Sequence, residues 1–173
     1  CSDLSIVLRT VGEEDAAGRI DQQTAVVVGA ICNHFFCRTT LGTYAPEQAQ
    51  YFLDAGLDLS RIVLGHIDLS GDLDYIRRCL DYGITIGFDT VGKNNYFPDA
   101  KRVEYLLALE AEGRMDQIVL SEDLTRKSHL EFKGGIGYSY LFDTFIPMAK
   151  AAGLKQESLD KMLIHNPARI LGI

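Results

Sequence analysis

The sequence predicts an α/β fold built on a parallel sheet, and three observations carry that prediction. From about residue 60 the 173-residue chain alternates short aliphatic runs with stretches of helical periodicity, the pattern of successive βαβ units. The aliphatic runs are continuous rather than alternating, as expected of strands covered on both faces. Each run ends in a polar cluster, and the carboxyl edge of a parallel sheet is where such folds build sites.

In chain order, "AVVVGAIC" (25–32) reads as a first strand and "PEQAQYFLDAG" (46–56) as a helix presenting Ala49, Phe52 and Leu53, closed by Gly56. "RIVLGH" (61–66) is the next strand, followed by a helix with Leu73, Ile76 and Leu80 on one face. "GITIGFD" (83–89) and a helix carrying Val103, Leu106 and Leu107 form the third unit. "DQIVLSED" (116–123) leads to "SYLFDTFIPMAKAAG" (139–153), with Leu141, Phe145 and Met148 at helical spacing. Ser158 is expected to cap "LDKMLI", and Asn166 with Pro167 to open a final turn. No linker or low-complexity segment divides the chain, so four βα units form one domain spanning 1–173.

Composition narrows the function classes. With 47% hydrophobic and 24% charged residues the chain is an ordinary globular one. A net charge of −7 argues against nucleic acid or an anionic membrane as partner, because either needs a concentrated basic surface. No apolar run approaches the roughly 20 residues that span a bilayer. Cys1, Cys32, Cys37 and Cys79 form no CxxC pair, so reduced thiols and a cytoplasmic location are expected. A chain opening on Cys1 is expected to be a cut or processed product.

The strand ends supply the candidate site: His34 after the first, His66 and Asp68 after the second, Asp89 and Lys93 after the third, and Glu122, Asp123 and Arg126 after the fourth. An isolated histidine at a strand end usually bonds a neighbouring loop. His66 has Asp123 in the equivalent place two units later, and a sheet curving into a barrel aims both at one point. Imidazole and carboxylate suit Zn²⁺ or a similar divalent ion, and such a carboxylate can also take a proton from water. Asp68 and Asp89 fit equally well as helix caps or loop carboxylates and are read as structural. Lys93 and Arg126 can offer cations to an anionic substrate. "KGGIGY" (133–138) lacks the spacing of a phosphate loop and reads as flexible loop or backbone packing.

Six stretches, "LGTYAPEQ" (41–48), "DLSRIVLGHIDLSGDLDYI" (58–76), "GITIGFDTVGK" (83–93), "IVLSEDLTRKSHL" (118–130), "GGIGYSYLFDTFIPMAK" (134–150) and "HNPARILGI" (165–173), together resemble the phosphotriesterase family of the amidohydrolase superfamily, including its lactonase and homology-protein branches. The resemblance covers about residues 40 to 173. It implies the C-terminal half, strands five to eight, of a (β/α)8 TIM barrel of the metallo-dependent hydrolase type. It further implies a two-metal centre, usually zinc, whose bridging hydroxide attacks a lactone or phosphorus ester. On this resemblance His66 matches the ligand after strand six, and Asp123 the ligand and proton acceptor after strand eight. Lys93 and Arg126 look like the residues that hold a substrate phosphate in the sugar-lactone branch.

At strand five the chain departs from the family pattern. "ICNH" supplies His34, whereas counting back from "LGTYAPEQ" puts Arg38 in the histidine's place; His34 is the favoured ligand. The family's HxH pair and its strand-four bridging residue have no counterpart, and a complete barrel takes ~250 residues. An isolated half-barrel has open edges, which predicts self-association or poor solubility and weak or absent activity. The rival reading is a non-catalytic α/β module that binds an anionic metabolite such as a sugar phosphate through Lys93 and Arg126; a degenerate fragment is the third.

Overall fold

The computed structural model describes residues 43–54 and 56–172. The first expected strand and His34 therefore lie outside the described residues. Three strands, β1 (Val63–Leu64), β2 (Thr85–Phe88) and β3 (Ile118–Leu120), form a parallel sheet in the order β1-β2-β3. Leu64 pairs with Ile86, and Ile86 with Ile118. The pairing runs on past the strand ends: Ser121 N–H donates to the Phe88 carbonyl at 3.1 Å and Val91 N–H to the Ser121 carbonyl at 3.1 Å. That extension fixes the segments carrying the polar clusters in register with one another.

Helices cover the sheet: α1 (Ala45–Asp54), α2 (Leu73–Asp81), α3 (Asp99–Ala111), α4 (Ile146–Ala151), α5 (Gln156–Asp160) and α6 (Asn166–Leu171). All four residues of β2 are buried, as its unbroken apolar run requires. The α2 helix starts where Asp72 accepts from the backbone N–H groups of Asp74 (2.9 Å) and Tyr75 (3.0 Å), satisfying two donors that have no partner within the helix. Its apolar face buries Ile76, Cys79 and Leu80. Burial also pushes the Cys79 thiol up to about 11, as expected for an inert core cysteine.

Several local expectations are corrected. In α1 the core face is Ala45, Ala49 and Phe52, while Leu53 is 45% exposed; the i, i+4, i+7 row faces the core, and Leu53 falls one step round the helix. In α3 the buried apolar row is Val103, Leu106 and Leu109, with Leu107 only partly buried. Ser158 is no cap: it is buried inside α5, its hydroxyl donating to the Glu110 carboxylate. Asn166 and Pro167 do open the final helix, α6, directly after a π-helical turn over Lys161–His165, but Asn166 does not act as a side-chain cap. Its buried amide instead donates to the carbonyls of Met115 (2.8 Å) and Ile118 (2.7 Å), tying the last helix to the start of β3.

Candidate functional site

His66 follows β1 with its backbone left-handed at φ +59°, and Asp123 follows β3 at φ +46°. Left-handed backbone costs an L-residue roughly 1–2 kcal/mol, and His and Asp are among the side chains that tolerate it best. Two of the three such non-glycine residues among those described are therefore the two strongest sequence candidates, the third being Tyr44. Strain of this kind gathers where a fold must aim a side chain.

Asp89, the residue after β2, meets His66 twice through one oxygen. Its Oδ1 accepts the His66 backbone N–H at 2.9 Å and lies 2.7 Å from Nδ1. An ionised carboxylate only accepts, so Nδ1 carries the hydrogen, and in the neutral ring Nε2 keeps its lone pair. The hydrogen bond to Asp89 raises the His66 pKa above its ordinary value; desolvation opposes the rise, while the charges of Asp89, Asp123 and Asp68 add to it. Asp89 was expected to be a structural carboxylate; here it orients the histidine, and the clue in the sequence was its place at the edge of the strand next to His66.

The structure also brings Lys93 and Asp123 together. The Lys93 ammonium contacts both the carboxylate Oδ2 and the backbone carbonyl of Asp123, with the lysine side chain 9% exposed and the aspartate 23%. Lys93 is thus a buried cation held at the strand edge rather than a solvated loop lysine. Arg126 lies exposed at the start of the next turn and is not drawn into this group. The neighbouring Glu122 is buried and accepts the Leu141 N–H at 3.0 Å. Desolvation pushes its carboxyl up, and that hydrogen bond pulls it down.

Behind the pair lies Asp68, fully buried and not the loop residue its context suggested. Burial pushes its carboxyl up to about 6 against the opposing pull of Arg102. The loop after β3 is held from the other side. A Cβ on Gly135 would fall 2.2 Å from the backbone of His129, so the "KGGIGY" segment serves close backbone packing.

Metal competence can be judged from the donors present. His66 offers Nε2, already oriented by a carboxylate as in many metal-bound imidazoles, and Asp123 offers a carboxylate oxygen. These fit a divalent ion in kind. In number they supply two of the roughly four ligands that zinc takes, and among the described residues no three His, Cys, Asp or Glu side chains cluster for a metal. No helix among the described residues is long and apolar enough to cross a membrane.

Comparison with known proteins bears on this arrangement. The model of the phosphotriesterase family matches residues 16–171. A phosphotriesterase homology protein of Escherichia coli (strain K12) is 44% identical over 131 residues, covering 76% of this chain and 45% of the relative. A phospho-furanose lactonase of Mycoplasmopsis agalactiae is 36% identical over 140 residues, covering 77% of this chain and 40% of that protein. The crystal structure of the Escherichia coli phosphotriesterase homology protein, complexed with phosphate in its active site, superposes with a TM-score of 0.73 at 38% identity, over 84% of this chain and 52% of that one. The chain thus spans under half the length of these curated relatives.

Proposed function

Because the chain belongs to the phosphotriesterase family, we propose that it carries the strand-five-to-eight half of a metal-dependent hydrolase acting on a lactone or phospho-ester. The observation that supports this most directly is the His66–Asp89 pair: a carboxylate fixes the imidazole through Nδ1, which leaves Nε2 as the nitrogen for a metal. His66 and Asp123 would hold the ion, with His34 as a further ligand. A bound divalent ion supplies polarisation of the substrate oxygen and an acidified water.

The chain's own residues do the rest. Asp123 is the acceptor for the water's proton, and the Lys93 ammonium lies on its Oδ2. Once Asp123 takes that proton its hold on Lys93 weakens, and the freed ammonium faces the developing negative charge of the leaving group or a substrate phosphate. Arg126, exposed at the start of the turn that follows Asp123, is the second cation for an anionic substrate and suits bidentate phosphate contact. The lactonase name carried by one relative and the phosphate in the active site of another's crystal structure support a phosphorylated lactone as the first substrate to try.

The test is metal analysis of the purified chain together with turnover of a panel of sugar-phosphate lactones and aryl esters. Bound zinc is expected, with weak hydrolysis that EDTA abolishes and that His66→Ala or Asp123→Asn lowers to background. Phosphate-sugar binding that persists in EDTA and survives His66→Ala would instead favour a non-catalytic binding module.

A further inference from the structure

Arg102 lies on the first turns of α3, yet its side chain is fully buried and points back under the strand ends. Nε donates to Asp68 Oδ2 at 2.6 Å, and Nη2 donates to Thr90 Oγ1 at 2.7 Å. Nη1 donates to Asp99 Oδ1 at 2.8 Å and also to the Phe97 carbonyl. Thr90 in turn donates to the same Asp68 oxygen at 3.3 Å. Asp99 extends the network by accepting the Gly92 N–H, the Asn94 amide and the Tyr140 hydroxyl.

The partners stand in a telling relation to the site. Asp68 is two residues past His66, Thr90 is next to Asp89, and Gly92 is next to Lys93. One planar guanidinium therefore ties together the segments that follow β1 and β2 and the far end of the loop carrying Lys93. Arginine is suited to this because its five donors lie in a fixed fork, which an ammonium cannot reproduce. Filling the space with apolar side chains would avoid the desolvation of three charges, so volume alone does not account for the network. One Asp68 oxygen, Oδ1, is buried without a hydrogen-bond partner, a further cost that packing would not incur.

We infer that Arg102 is a positioning residue, acting through Asp68 and Thr90 to hold the His66–Asp89 pair, and through Asp99 to hold the Lys93 loop, in one fixed arrangement. The inference deepens the metal-dependent reading above and rests on it for its consequence, the competence of His66 as a ligand. Its test has a readout independent of metal. In the metal-free wild-type chain, long-range ¹H–¹⁵N NMR is expected to show His66 above pH 8 as a single tautomer with hydrogen on Nδ1. Arg102→Lys keeps the charge but reaches only part of the fork, and is expected to give a mixed tautomer with an unchanged far-UV spectrum. Zn²⁺ affinity by calorimetry should fall about tenfold or more, the usual effect of disturbing the groups that orient a ligand. Thr90→Val, which removes one bridge without stranding a charge, should move both readouts the same way by a smaller step, and it carries the comparison if Arg102→Lys does not fold. A single Nδ1–H tautomer and undiminished Zn²⁺ affinity in the folded variants would overturn the inference, as would a wild-type His66 that is not in that tautomer. A wild-type chain that binds no Zn²⁺ would sink the metalloenzyme reading instead, leaving the tautomer comparison to decide the role of Arg102.

Discussion

At the scale of single residues, the site is governed by which oxygen each cation meets. Asp89 Oδ1 receives both the backbone and the ring of His66, so the ring's protonation is tied to that carboxylate. The raised His66 pKa makes a signed prediction for the metal-free chain. Its stabilising contribution is fully present below the unfolded value of about 6.5 and is lost as pH rises through the higher folded value. An NMR titration should place the His66 midpoint above 6.5, and Asp89→Asn should bring it down and remove that pH dependence of stability. A midpoint unaffected by Asp89→Asn would mean that the 2.7 Å contact does not govern the ring. Lys93 and Asp123 were each legible as site residues from their places at strand ends. That they meet each other was not, because a sequence separation of thirty positions puts no constraint on their distance until the sheet forms.

At the scale of elements, the strands are short and the caps do much of the placing. Asp72 closes the start of α2 with two hydrogen bonds, and α2 packs against β2 and the turn that follows His66. Asp72→Ala should cost about 1 kcal/mol, read as a lower urea midpoint with an unchanged slope. An unaltered midpoint would show that burial of Ile76, Cys79 and Leu80 alone sets the helix. Periodicity located α1, α2 and α3 and both later strands correctly. It erred where a one-step rotation decides burial, as at Leu53, and where a polar residue has a long-range partner, as at Ser158 with Glu110. A capping motif and a buried anchor look alike in sequence, since both are small polar residues beside a helical run.

At the scale of the whole molecule, the described sheet has three strands with β1 and β3 at its edges, and the chain spans under half of its curated relatives. Phe132, Tyr138 and Phe142, all in the segment after β3, are 77%, 67% and 60% exposed. Unpaired edges and exposed aromatic rings both favour association. Sedimentation velocity should therefore show an average mass that rises with concentration above the 19.2 kDa of one chain. A constant monomer mass would show that the edges are covered within the chain itself.

The sequence by itself determined the α/β class, the order of its units from residue 60 onward, the family, and the strand-end positions of His66, Asp89, Lys93 and Asp123, because local periodicity and strand termini are properties of neighbouring residues. Only the tertiary structure decided which of those side chains touch. It turned Asp89 from a loop carboxylate into the partner of His66, set Lys93 on Asp123, and drew Arg102, an unremarked helix residue, onto Asp68, Thr90 and Asp99. The physical reason is that hydrogen bonds between segments 23 to 34 residues apart depend on strand register and on the burial of charge, and neither quantity exists before the sheet is assembled.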